Sequence, residues 1–130
     1  MKGGVRLEKQ LSPDQLRVLG VSNQLEMALI NLVVNAIHAM EPGGHLKVAT
    51  AARGEQVEIS VSDTGCGIPE HVQPSVFEPF FTTKPEGKGT GLGLSTVLMV
   101  VERHNGKIDF TSNVGQGTTF RITLPAAPRA

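Results

Sequence analysis

An α+β fold, with helices on one face of a mainly antiparallel sheet, is what three observations in this sequence predict. Two segments carry apolar residues at helical spacing. Four or five others alternate apolar and polar residues like strands buried on one face. Most of these segments are joined by short turns, which favours antiparallel neighbours over a wholly parallel sheet. A chain of 130 residues is long enough for one domain with its own hydrophobic core.

Residues 5–11 alternate as an edge strand does. Ser12-Pro13-Asp14 reads as a turn, and Val18-Leu19 as a short strand before Gly20. Ser22 is placed to cap a helix, and Leu25, Leu29, Leu32, Val33, Ala36, Ile37 and Met40 recur at helical spacing up to the breaker Glu41-Pro42-Gly43-Gly44. Leu46, Val48, Thr50 and Ala52 then mark a strand, Gly54-Glu55 a tight connection, and Val57, Ile59 and Val61 a second strand. Residues 70–77 suggest a short helix, weakened by Pro74. Leu92, Leu94, Val97, Leu98 and Val101 predict a helix over 92–104, stopped at Asn105-Gly106. Residues 107–112 and 118–124 predict a hairpin closed by Val114-Gly115-Gln116-Gly117. Residues 125–130 read as a tail or linker after a domain spanning 1–124.

Composition narrows the function. Twelve basic residues balance twelve acidic ones, so no basic field points to nucleic acid or to an anionic membrane as a partner. No apolar stretch is long enough to span a bilayer, and no secretory leader is visible. The single cysteine, Cys66, excludes an internal disulfide framework and a multi-cysteine zinc site, and a cytoplasmic setting is the simplest reading. No P-loop occurs, nor a Ser-His-Asp or Cys-His arrangement.

Three constellations remain. Four glycines fall between 87 and 93, flanked by Lys84 and Lys88 and followed by a helix. Glycines and a helix N-terminus turn backbone N–H groups toward an anion, most simply a phosphate, although a flexible surface loop would look alike. Asn31 and Asn35, four apart, share a helix side. Their amide oxygens suit Mg²⁺, whereas two asparagines that merely face solvent are the alternative. Asp63 closes a strand ahead of Gly65 and Gly67. Its carboxylate is an acceptor for an exocyclic amine such as that of adenine, or the side chain of an ordinary Asx turn. His38 lies near the asparagines, within reach of a phosphate there, whereas His45, His71 and His104 lack a catalytic partner; an ordinary structural histidine is the favoured reading for all four. Phe80 and Phe81 serve equally as pins for a lid or as core.

Taken in order, these segments resemble the ATP-binding catalytic domain of bacterial two-component sensor histidine kinases. That is a branch of the GHKL superfamily, which also holds gyrase, the mismatch-repair ATPases and a heat-shock chaperone. Asn31-Leu-Val-Val-Asn35-Ala resembles the family's asparagine box, and Asp63-Thr-Gly-Cys-Gly-Ile-Pro69 its first glycine box. Phe77-Glu-Pro-Phe-Phe-Thr-Thr-Lys84 resembles its phenylalanine box, in wording like the nitrogen-regulator type. Gly89-Thr-Gly-Leu-Gly-Leu-Ser95 and Gly115-Gln-Gly-Thr-Thr-Phe120 resemble its later glycine motifs, so the likeness spans roughly residues 5–124.

The resemblance implies a Bergerat-type two-layer α/β sandwich, with about five strands and about three helices on one face. ATP would lie between the long helix and a lid over about 79–93. It implies Asn35 as the Mg²⁺ ligand, with Asn31 supporting metal or phosphates, and these two as the catalytic residues. Asp63 would take the adenine amine, with Gly65, Gly67 and Ile68 lining the base and Thr118 on the adenine side. Phe80, Lys84, Lys88, Gly89, Thr90, Gly91, Leu92, Gly93 and Leu94 would close over the nucleotide. His38 stands where many relatives carry Lys or Arg, and a neutral imidazole is a poor phosphate counter-charge. Hydrolysing relatives carry Glu one helical turn before the metal-binding Asn; here that residue is Asn31, which cannot act as a base. Transfer to a histidine on a separate dimerisation domain is therefore implied, with a response regulator further downstream and a monomeric isolated domain. A nucleotide-binding regulatory module without transfer, and a self-contained ATPase switch, are the alternatives.

Overall fold

The computed structural model describes residues 5–10, 20, 22–40, 43–78 and 93–126. In order they form β1 (Val5–Gln10), α1 (Ser22–Ala39), β2 (Gly44–Arg53), β3 (Gln56–Ser62), a 3-10 helix (Glu70–Ser75), α2 (Gly93–Arg103), β4 (Lys107–Asn113) and β5 (Gly117–Pro125). The five strands form one sheet in the order β1-β2-β3-β5-β4. Every pairing is antiparallel except that of β1 with β2, which is parallel. A parallel neighbour needs a crossover, and α1 lies in the connection that supplies it. The mainly antiparallel sheet and its helical layer match the expected class.

Strand alternation decides which face is core. Val57 and Val61 of β3 and Phe120, Ile122 and Leu124 of β5 are buried, and Val61 stands opposite Phe120 in the register. From α1 come Ala28, Leu32 and Ala36, and from α2 Val97, Val100 and Val101, all within the same cluster. The other sheet face is polar: Arg121 Nε donates to Asp109 at 3.0 Å and the Ser62 and Thr119 hydroxyls pair at 2.9 Å. The exposed Arg121–Asp109 pair adds little stability.

Helix ends follow the local chemistry. Asn105 takes a positive φ of 60°, Gly106 N–H reaches Val101 O at 2.9 Å and Asn105 N–H reaches Glu102 O at 3.1 Å. This is a Schellman closure with Asn in the left-handed position. Among the described residues no helix is long and apolar enough to cross a membrane.

Some expectations shift. β4 runs on to Asn113, and Gly117 starts β5 instead of closing the turn, while the last residue of the expected first strand, Leu11, lies outside the described residues. Ile37, counted on the core side of α1, is exposed together with Met27, Ile30 and Val34. Helical spacing alone assigned it wrongly, because at 100° per residue it points away from Leu32. The expected turn at 12–14, the strand at 18–19 and the lid residues Phe80, Phe81, Lys84, Lys88, Gly89, Thr90, Gly91 and Leu92 lie outside the described residues.

Candidate nucleotide site

Asn31, Asn35 and His38 follow one flank of α1, between the buried stripe and the exposed one. Both asparagines are half-buried and His38 is exposed. Among the described residues no side chain hydrogen-bonds either asparagine amide. Among the described residues no group of three or more His, Cys, Asp or Glu could hold a metal. A cation here would take one or two amide oxygens and otherwise water and phosphate, which fits the habits of Mg²⁺. Glu26 is the only acid of α1, nine residues before Asn35 and so about 13.5 Å away along the axis.

The loop after β3 is fastened on three sides. At the helix end, Cys66 N–H donates to Ala39 O at 3.1 Å. Toward β2, Thr64 Oγ1 accepts from His45 N–H at 2.9 Å. Toward the β4–β5 turn, Gly115 N–H donates to Cys66 O at 2.9 Å. Gly67 has φ +76°, and a Cβ there would run into the Asn113 carbonyl oxygen. Gly117, at φ +126°, likewise lies against the Asp63 carbonyl oxygen. Only glycine meets both the dihedral and the approach. The loop thus lies directly on the hairpin, and Cys66 is an exposed free thiol on it.

Asp63 is the buried charged group of this region. Its Oδ1 accepts Gly65 N–H at 2.8 Å and Thr118 N–H at 3.2 Å. Among the described residues nothing engages Oδ2. The Asx turn and the free acceptor, alternatives in the sequence, are both present, one on each oxygen. Burial pushes the carboxyl above its ordinary value of 3.8, while the Gly65 and Thr118 N–H groups pull it back only in part.

Behind Asp63 stand further groups, of which Ser112 and Phe110 lie outside the motifs. Ser112 Oγ accepts Ile68 N–H at 2.7 Å and lies 2.7 Å from Thr118 Oγ1. Phe77, Phe110 and Phe120 form an aromatic cluster, with Phe77 edge-on to both others at 5.9 and 6.3 Å. The signal for Ser112 was its inward slot after Ile108 and Phe110, where a hydroxyl must find a partner. Of the predicted residues, the structure joins Asp63, Gly65, Ile68 and Thr118 through this network. Ile68 and Leu94 also pack against the core, and Gly93 opens α2.

This order of elements, with an asparagine-bearing helix beside an Asp-Gly loop, is that of a known family. Residues 20–128 match the histidine kinase-, DNA gyrase B- and HSP90-like ATPase family. The chain belongs to that family. Within it, the chain is the ATP-binding catalytic domain of a sensor histidine kinase. It is 40% identical over 126 residues to the sensor protein FixL of Bradyrhizobium diazoefficiens, covering 95% of this chain and 25% of FixL. Its fold superposes on the mycobacterial sensor histidine kinase MprB with a TM-score of 0.84 and 32% identity, over 96% of this chain and 84% of that one. It also superposes on full-length ShkA, solved in complex with AMPPNP, with a TM-score of 0.86 and 28% identity, over 99% of this chain and 27% of ShkA. The chain spans 12% of the length of the sensor kinase CckA of Brucella abortus and 28% of sporulation kinase B of Bacillus subtilis. This histidine kinase domain is therefore a small part of proteins like those.

Proposed function

We propose that this domain binds ATP with Mg²⁺ and donates the γ-phosphoryl group to a histidine on a separate dimerisation domain, from which a response regulator is served. Asp63 is the observation that carries the reading. Its Oδ1 is committed to the fold and, among the described residues, nothing engages Oδ2, an acceptor on a buried side chain, which suits the 6-amino group of adenine. Gly65, Gly67 and Ile68 would line the base, and Thr118 would stand beside it. Asn35 would hold the cation, with Asn31 supporting it or the phosphates, and His38 would stand near the phosphates. Gly93 and Leu94 would meet the phosphates at the start of α2, and the segment from Phe80 to Leu92 would close over them. The cation would neutralise phosphate charge.

What the chain's own residues contribute is placement and electrostatics, the main levers in phosphoryl transfer. Asn31 cannot take a proton from water, and Glu26 lies on the wrong side of α1 to do so. That favours transfer over hydrolysis. The fit to ShkA, whose structure holds AMPPNP, supports an adenine nucleotide as ligand.

The test is transfer of labelled γ-phosphate to a separately supplied dimerisation and phosphoacceptor domain. Asn35→Ala is expected to lower transfer by at least tenfold while changing ADP affinity much less. Equal transfer by variant and parent would remove Asn35 from this role. Rapid release of inorganic phosphate by the domain alone would instead favour an ATPase switch.

A further inference from the structure

The hydroxyl of Ser112 has one proton and two acceptor positions. Among the described residues it has three neighbours: Ile68 N–H at 2.7 Å, Thr118 Oγ1 at 2.7 Å and Gly117 O at 3.3 Å. The Ile68 amide can only donate and the Gly117 carbonyl can only accept. One polarity satisfies all three contacts: Ser112 accepts from Ile68 and from Thr118, and donates to Gly117. The reverse polarity sends the Ser112 proton to Thr118 and leaves the Gly117 contact without a hydrogen. A hydroxyl rotates to the arrangement that satisfies the most partners. In that arrangement Thr118 Oγ1 has given up its only proton and faces any ligand as an acceptor. Thr118 is buried and its N–H is bound to Asp63 Oδ1, so this acceptor sits beside the carboxylate.

We propose that Ser112 is a specificity-determining residue of the base site. By taking the Thr118 proton it makes Thr118 an acceptor, so the site favours a purine bearing an exocyclic amine over its 6-oxo counterpart. This rests on the nucleotide reading given above. Ser112 itself touches no ligand; it acts through Thr118 and through the Ile68 amide. With Ser112 intact, a 6-oxo purine presents its carbonyl oxygen to two acceptors, Asp63 and Thr118. With Ser112 removed, the Thr118 hydroxyl is free to rotate and donate to that oxygen.

The experiment is a calorimetric titration of parent, Ser112→Ala and Ser112→Thr with ADP and with inosine diphosphate. The parent is expected to prefer ADP. Ser112→Ala is expected to narrow that preference by about fivefold to tenfold, the scale of one buried hydrogen bond. Ser112→Thr, which keeps the hydroxyl, is expected to retain the preference within about twofold. A purely structural Ser112 would weaken both nucleotides by the same factor, and an unchanged ratio in Ser112→Ala overturns the proposal. If Ser112→Ala does not fold, Thr118→Val serves, because removing the acceptor should narrow the ratio similarly and an unchanged ratio again overturns it. A parent that binds neither nucleotide overturns the nucleotide reading, and the proposal with it; a parent that binds ADP leaves that reading standing whichever way Ser112 is decided.

Discussion

Replacing Asp63 by Asn separates the two oxygens of one carboxylate. Oδ1 holds the Gly65 and Thr118 amides at 2.8 and 3.2 Å, and an asparagine carbonyl oxygen can accept both. Nδ2 then stands where Oδ2 stood and turns an acceptor into a donor. Two effects on stability oppose each other. The two backbone bonds lose their charge assistance, while a buried charge that the fold disfavours is removed. The net change in unfolding free energy is expected to stay within about 1 kcal/mol, read from denaturant curves. Binding has no such compensation. A lost hydrogen bond to a charged group costs about 1.5–3 kcal/mol, which is roughly a tenfold to 150-fold weaker ADP affinity. Calorimetry with ADP on parent and variant measures it, with melting of both as the control for folding. An affinity within threefold of the parent, in a variant that melts normally, would refute the assignment of Oδ2 to the base.

Further outcomes follow from Asp63 and Leu32. The raised pKa of Asp63 means the folded state takes up a proton before the unfolded chain does as pH falls. This group's contribution to stability therefore declines as pH rises from about the ordinary 3.8 to its raised value, and is constant above that. Protonation also converts Oδ2 into a donor, so ADP affinity should fall as pH is lowered through the raised pKa, and Asp63→Asn should lose that dependence. An identical pH profile in parent and variant would exclude Asp63 as the titrating group. In the core, Leu32 is 1% exposed among Ala28, Ala36 and the α2 valines, so Leu32→Ala should cost about 2–5 kcal/mol in denaturant unfolding. A loss under about 1 kcal/mol would show that α1 packs more loosely than described.

Much of the fold was legible because its information is local. Alternation in β3 and β5 and the spacing of Leu25, Leu29, Leu32 and Ala36 report burial within one element, and the breakers at 42–44 and 105–106 end helices for reasons contained in a few residues. The same spacing misplaced Ile37, because α1 carries apolar residues on two sides and only packing tells which one meets the sheet. Ser112 passed unnoticed because its importance depends on Thr118, its partner across the hairpin, and on Ile68, 44 residues away.

By itself the sequence determined the elements, their order and the residue types at the candidate site: amides at 31 and 35, a carboxylate at 63, glycines where the backbone must turn or come close. Tertiary structure alone decided what those groups are free to do. The Thr118 amide reaches Asp63 across 55 residues and, with Gly65, occupies one oxygen, while among the described residues nothing engages the other. The parallel seating of β1 beside β2 was likewise decided only in three dimensions. The physical reason is the same in both cases. Periodicity and turn chemistry act over a few residues, whereas the direction of a proton or the pairing of a strand depends on partners that only the folded chain brings within hydrogen-bond distance.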